Sequence, residues 1–155
     1  MKPASSRPID GRGGDYPEGS PLRALNDFYG AFNGRDLDRM TANWLLTSEA
    51  VMTNPLGGIS RGWEAIRSVY ERLFDGPARV QVEFRDYTIH EYPHVFYAIG
   101  RERGQFRRGE VVVDLAIRTT RVFVLVDRRW RQVHHHGSID DPRLLGDYQA
   151  AVLGP

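Results

Sequence analysis

The sequence contains no cysteine. Disulfide frameworks, thiol nucleophiles and cysteine-containing zinc sites are therefore excluded together. Lysine is nearly missing as well: Lys2 is the only one, so almost all of the 21 Lys+Arg are arginine. Guanidinium is the better group for bidentate carboxylate recognition, but a bias spread over a whole chain speaks more for base composition than for function. An excess of one charge sign is also lacking. The 21 basic residues face 20 acidic ones, a net charge of +1, which gives no global drive toward nucleic acid or a membrane surface. No apolar run approaches the ~20 residues needed to span a bilayer, and the N-terminus has no apolar h-region of a secretory signal. A cytoplasmic protein with no membrane and no nucleic-acid partner is expected.

What is present fits one domain with a real core, since the chain has 155 residues and 41% hydrophobic composition. Residues 1–20 are rich in Pro, Gly and Ser and nearly free of aliphatics, so a mobile arm is expected there. Ser20 and Pro21 then provide a helix cap and first helical position. Leu22, Leu25, Phe28, Tyr29 and Phe32 follow at helical spacing until "NGRD" (33–36) breaks the pattern. A second short helix is predicted over "DLDRMTANWLL" (36–46), a short strand over "EAVMTNP" (49–55), and a third helix over "WEAIRSVYERLF" (63–74) ended by Gly76-Pro77. Beyond it the chain reads as strand. "RVQVEFRDYTIHEY" (79–92) alternates apolar and polar residues, and long runs follow to the tight turn at Asp127-Arg128 and the final stretch "WRQVHHHGSI" (130–139). Three helices followed by a four-stranded antiparallel meander is an α+β pattern. The expected domain spans 21–140, with 141–155 left as a C-terminal tail.

This order of elements carries a resemblance. The "N-x-x-D-L-D" turn (33–38), the "A-V-x-x-x-P" strand, the "I-S-R-G-x-E-A-I" segment and the C-terminal "T-R-V…W-x-x-V-H-x-H" hairpin resemble the nuclear transport factor 2-like superfamily. Within it they are most similar to SnoaL-like small proteins and to the association domain of calcium/calmodulin-dependent kinase II. The resemblance covers roughly residues 22–140. It implies a cystatin-like, cone-shaped barrel, with three N-terminal helices packed on a curved mixed or antiparallel sheet. It also implies a pocket between helices and sheet, and a homodimer formed through the outer sheet face. The fold hosts enzymes and pure binding modules alike, so individual positions must discriminate. Where ketosteroid isomerases of this fold carry a tyrosine, an aspartate base and a second aspartate, the resemblance places Phe28, Asn54 and Thr120. An amide cannot abstract a proton from carbon, so isomerisation by that route is not expected. Limonene epoxide hydrolases use an Asp-Arg-Asp relay with a water-holding asparagine. Here Arg118 and Asn54 match the arginine and asparagine, while the carboxylates are missing. For the Asp or His–Asp pair of scytalone dehydratase and polyketide cyclases, His135 and Asp114 are the substitutes available.

The three adjoining histidines divide by strand parity, because alternate side chains point to opposite faces. With the turn at Asp127-Arg128, cross-strand partners sum to about 255. That sets Thr120 opposite His135, Val122 opposite Val133 and Arg121 opposite His134. The resemblance places the Thr120 face toward the pocket, so His135 is expected inside with Arg118, Thr120, Val122 and Val133. Asp114 falls on the same face by parity, as a pocket base or a partner of Arg118. His134 and His136 point outward, and Arg121 reads as a solvated or interface charge. Two histidines at i, i+2 lack the third ligand a metal site needs, and neither a metal nor any other cofactor is expected.

Three readings of function follow. One is a pocket that binds a small apolar ligand with a polar or carboxylate group, oriented by Arg118, Asn54 and His135. Another is a lyase, isomerase or hydrolase using His135 as general acid/base, assisted by Asp114 and Arg118. The last is a homo-oligomerisation module.

Overall fold

In the computed structural model, which describes residues 7–154, the first helix begins at the expected cap. The Ser20 hydroxyl accepts from the Arg23 backbone N–H at 3.2 Å, Pro21 occupies the first turn, and α1 runs Pro21–Asn33. Leu25, Phe28 and Tyr29 form its buried stripe. The "NGRD" break has a physical basis. Gly34 caps the helix, Arg35 takes a left-handed backbone (φ 54), and the Asp36 carboxylate caps α2 (Leu37–Asn43) through the Arg39 N–H at 3.0 Å. The helix stops earlier than its sequence pattern predicts. Trp44 turns extended, bridges Gln132 of the last strand, and is followed by Leu45 N–H donating to the Gln132 carbonyl at 2.8 Å. Pairing with the sheet overrides helical propensity here.

Two short strands, β1 (Val51–Thr53) and β2 (Ser60–Arg61), precede α3 (Trp63–Asp75), whose Trp63, Ile66, Tyr70 and Phe74 are buried. Four long strands follow: β3 (Arg79–Glu91), β4 (Val95–Arg108), β5 (Val111–Val126) and β6 (Arg129–Ser138). All six strands form one curved, unclosed sheet in the order β2-β1-β6-β5-β4-β3. Only β1–β6 is parallel; the other neighbours are antiparallel. The predicted turn at Asp127-Arg128 is present with positive φ at both residues (51 and 64), the backbone a two-residue hairpin needs.

Two irregularities aim the sheet. In β3 the register shifts between Arg85 and Thr88, with Asp86 at φ 50. In the β5–β6 hairpin Val122 pairs with His134 but Phe123 with Gln132, leaving Val133 unpaired as a bulge. Close packing in the β3–β4 ladder also demands glycine: a Cβ on Gly104 would lie 1.8 Å from the Gln81 carbonyl oxygen.

The C-terminal stretch read as a tail holds a helix, α4 (Pro142–Leu153). The Asp141 carboxylate caps it, and Tyr148 packs edge-on to Phe106 at 5.6 Å. A mobile arm was expected over 1–20. Of these, 1–6 lie outside the described residues, while Ile9 is fully buried and exchanges backbone hydrogen bonds with Phe84 at 3.0 and 2.8 Å. Asn33 fixes the same corner by bonding the Val82 carbonyl and N–H and the Asp10 carbonyl. Arg35 closes the far end, donating to the Phe74, Gly76 and Ala78 carbonyls where α3 ends.

Candidate functional site

Helices and sheet leave between them a cavity of about 670 Å³. Its walls are mostly apolar: Phe28 and Phe32 from α1, Val69 and Leu73 from α3, Val80, Val82, Phe106, Leu115 and Ile117 from the sheet, and Val152 from α4. Against this background its polar lining is sparse. Glu102, Arg121, His135 and Tyr70 are buried, while Arg72 and Arg108 line it from exposed positions.

Strand parity explains why Glu102 and Arg121 face inward. On β4 the inner face reads Phe96, Ala98, Gly100, Glu102 and Phe106; on β5 it reads Leu115, Ile117, Thr119, Arg121 and Phe123. The two charges form an ion pair of 3.2 Å with side chains only 3% and 7% exposed. Such a pair is tolerable in the interior only when its remaining donors and acceptors are matched. Here every side-chain nitrogen and oxygen of the pair has a partner. Arg121 donates to the Tyr29 hydroxyl at 3.2 Å and to Gln132 Oε1 at 2.8 Å, and Thr119 Oγ1 donates to Glu102 Oε1 at 2.7 Å. Gln132 in turn donates to Asn43, which donates to the Ala24 carbonyl. The guanidinium also lies 3.6 Å from the Phe28 ring centroid, a cation–π contact.

These contacts fix the charge states. Burial alone would lower the Arg121 pKa, but the Tyr29 hydroxyl and the Glu102 carboxylate outweigh it and hold the guanidinium above its usual value. Burial pushes Tyr29 well above the ordinary tyrosine range and Tyr70 up to about 12. It also moves Tyr148 up to about 12. His135 goes the other way: burial first and the nearby Arg121 charge second depress it well below the ordinary imidazole value, against a smaller upward pull from the Thr120 backbone. The inner end is thus one balanced ion pair beside neutral hydroxyls and a neutral imidazole. His135 Nδ1 is buried with no hydrogen-bond partner among the described residues.

Of the residues singled out from sequence, His135, Phe28 and Asn54 line the cavity. Asn54 also accepts the Leu56 N–H at 3.0 Å, holding the loop that forms part of the wall. Arg118, Thr120, Val122, Val133 and Asp114 do not line it. Arg118 and Asp114 are exposed, and Asp114 accepts a hydrogen bond from Gln105 at 2.8 Å. Thr120, Val122 and Val133 are half-buried on the other side of the sheet. His135 pairs with Arg121, not Thr120, because the Val133 bulge shifts the ladder by one residue beyond the turn. The same shift brings Gln132 and His135 to one face, although they are three residues apart. His134 and His136 meet β1, where His134 Nδ1 lies 2.8 Å from the Val51 carbonyl and His136 Nδ1 lies 2.7 Å from Thr53 Oγ1. His90 stacks on Tyr97 at 4.6 Å.

Sequence reasoning missed Glu102, Arg121 and Tyr70 as lining residues. For Glu102 a signal existed: alternate β4 positions read Phe96, Ala98, Gly100, Glu102, Gly104, Phe106, one carboxylate in an apolar and small face. Arg121 had a similar signal, since alternate β5 positions read Leu115, Ile117, Thr119, Arg121, Phe123, one guanidinium on the more apolar face. Tyr29 and Tyr70 lie on helical stripes where core and pocket wall look alike.

Comparison with known proteins agrees with this architecture. The SnoaL-like domain family matches residues 22–142. A chain from Thiobacillus denitrificans named for the calcium/calmodulin-dependent protein kinase type II association domain is 27% identical, with 79% of this chain and 96% of that one covered and a TM-score of 0.64. An NTF2-like family protein from Streptomyces avermitilis named for a dehydratase shares 18% identity over 75% of this chain and 90% of its own, with a TM-score of 0.68. A ketosteroid isomerase-like protein from Erwinia carotovora atroseptica shares 18% identity over 77% and 93%, at 0.63. No curated protein matches the chain. With the family matched across three quarters of its length and the curved sheet and helices in place, this protein belongs to the SnoaL-like domain family and has the nuclear transport factor 2-like fold.

Proposed function

We propose that this SnoaL-like domain binds a small molecule with an apolar body and one uncharged oxygen, a hydroxyl or carbonyl, at the inner end of the cavity. The observation that carries the reading is His135, a buried neutral imidazole with an unpartnered Nδ1, set beside a charge-balanced ion pair in an otherwise apolar cavity. A buried N–H without an acceptor costs about 1–3 kcal/mol. The tautomer that avoids this on Nδ1 carries its proton on Nε2, leaving an N–H to offer a ligand oxygen. The Tyr70 hydroxyl is the second group for that oxygen, and Phe28 and Asn54 contribute wall.

A carboxylate buried at the inner end has less support. Arg121 is already neutralised by Glu102, so a further negative charge there would be unpaired. Arg118 is exposed and does not line the cavity. Acid–base catalysis by His135 with Asp114 and Arg118 loses its support for the same reason, since neither assistant lines the cavity. We propose further that two copies pair through the outer sheet face. There the register sets Tyr97 beside Val122 and Val95 beside Val124, with Ile99 47% exposed next to Thr120.

Isothermal titration with dodecanol and dodecan-2-one tests the pocket. Saturable one-to-one binding is expected, weakened about tenfold in His135→Phe, the size of one lost hydrogen bond, and unchanged in Arg118→Gln. Absence of binding by both probes, or equal affinity in His135→Phe, overturns it.

A further inference from the structure

Arg72 and Arg108 take no part in the buried network, yet both line the cavity from exposed positions. They come from different elements at one end of the sheet, where β3 starts just after α3 and Arg79 pairs with Arg107. Arg72 comes from the last turn of α3, and Arg108 ends β4. The end of α4 lies against Arg108: a Cβ added to Gly154 would come within 3.2 Å of its Nη1. Among the described residues, the only carboxylate lining the cavity is Glu102, which is committed to Arg121. Neither mouth arginine forms an ion pair or side-chain hydrogen bond among the described residues, whereas the neighbouring Glu71 is held by Arg67 at 2.8 Å. Two guanidiniums at the rim of an apolar cavity, with no acid in its wall to balance them, select for negative charge at the mouth.

The distance between the two ends follows from one strand. Glu102 and Arg108 both belong to β4, six residues apart and of equal parity. At about 3.3 Å per residue their Cα atoms are roughly 20 Å apart. That is the reach of a chain, not of a small ring, and the apolar wall runs the length between them, with Phe106 midway and Val152 and Leu153 at the outer end.

We propose that the cavity takes an aliphatic carboxylate lying lengthwise, its carboxylate on Arg72 and Arg108 at the mouth and its chain in the apolar wall, with an oxygen function at the far end meeting His135 and Tyr70. The inference rests on the pocket reading above and adds to it the charge and the orientation of the ligand. It moves the carboxylate from the interior, where it would be unpaired, to a rim where solvent and two arginines share its charge.

Isothermal titration with dodecanol, dodecanoate and ω-hydroxydodecanoate at low and high salt tests this. Dodecanoate is expected to bind about five- to tenfold tighter than dodecanol at low ionic strength, the size of an accessible charge-assisted contact. Salt should erode that advantage. The double variant Arg72→Gln/Arg108→Gln should abolish it while leaving dodecanol affinity unchanged. ω-Hydroxydodecanoate should bind tightest, and lose only its hydroxyl gain in His135→Phe. If dodecanol binds but dodecanoate binds no better, or if the double variant keeps the preference, the mouth assignment fails alone. If none of the three binds, it fails together with the pocket reading.

Discussion

His135 occupies a position where an imidazole is easier to keep neutral than charged. Burial removes its hydration, and the Arg121 guanidinium adds a like charge nearby. Because its folded pKa lies below the unfolded value of about 6.5, the unfolded chain binds the extra proton first. The contribution to stability is therefore fully present above about pH 6.5 and is lost as pH falls toward the folded pKa, at a slope of at most about 1.4 kcal/mol per pH unit. Replacing His135 by Phe removes this proton. The melting temperature of wild type is expected to fall between pH 7 and pH 5 more steeply than that of His135→Phe, read by differential scanning calorimetry. Parallel curves would mean that the imidazole titrates in the folded protein as it does in the unfolded chain. The same buried setting explains why Glu102 and Arg121 stay ionised as a pair: each is the other's counter-ion, and Tyr29, Gln132 and Thr119 occupy the remaining positions.

At the level of elements, two strands of the sheet that walls the cavity depart from regular pairing. Unpaired Val133 rotates the end of β6 so that His135, not His134, faces inward. The β3 irregularity at Asp86 has Gly100 opposite it, and Gly104 follows along the same ladder opposite Val82. Gly100 and Gly104 face β3 so closely that an added Cβ would lie 2.8 Å from the Arg85 carbonyl oxygen and 1.8 Å from that of Gln81. Backbone cannot yield as a flexible side chain can. Gly104→Ala is expected to cost about 1–3 kcal/mol by forced displacement of the ladder, measured by urea denaturation. Gly109→Ser makes a comparison, because nothing lies within 4 Å of a Cβ there, although its φ of 59 leaves a smaller backbone strain. Equal effects would show that the β3–β4 ladder is slack.

For the whole molecule, the outer sheet face is the surface that bears on assembly. Ile99, Tyr97, Val122 and Val124 make an apolar strip on the side away from the cavity. A second copy would bury it, and light scattering should give twice the mass of 17.7 kDa. Ile99→Glu is expected to shift the species to monomer while leaving ligand titrations unchanged, since Ile99 does not line the cavity. A monomer in the wild type would refute the pairing; an assembly larger than two would favour an oligomerisation role.

The sequence by itself determined the order of elements from α1 to β6 except the short β2, which it read as loop, because caps, helical stripes and strand alternation are local signals. Ser20 with Pro21, the "NGRD" break and the Asp127-Arg128 turn each act within a few residues, and each is where the pattern put it. It also indicated a pocket histidine in the right strand. What only the tertiary structure decided was which residues accompany His135. Face assignment on β6 depends on every residue between it and the turn, so one bulged residue, Val133, sets His135 opposite Arg121 and not Thr120. That bulge has no local sequence mark. It is settled by the sheet as a whole, where β6 must pair with β5 on one side and run parallel to β1 on the other. The helix α4 was missed for a related reason: its single buried residue, Tyr148, leaves little amphipathic pattern to read, and it is held by its Asp141 cap and by packing on β4.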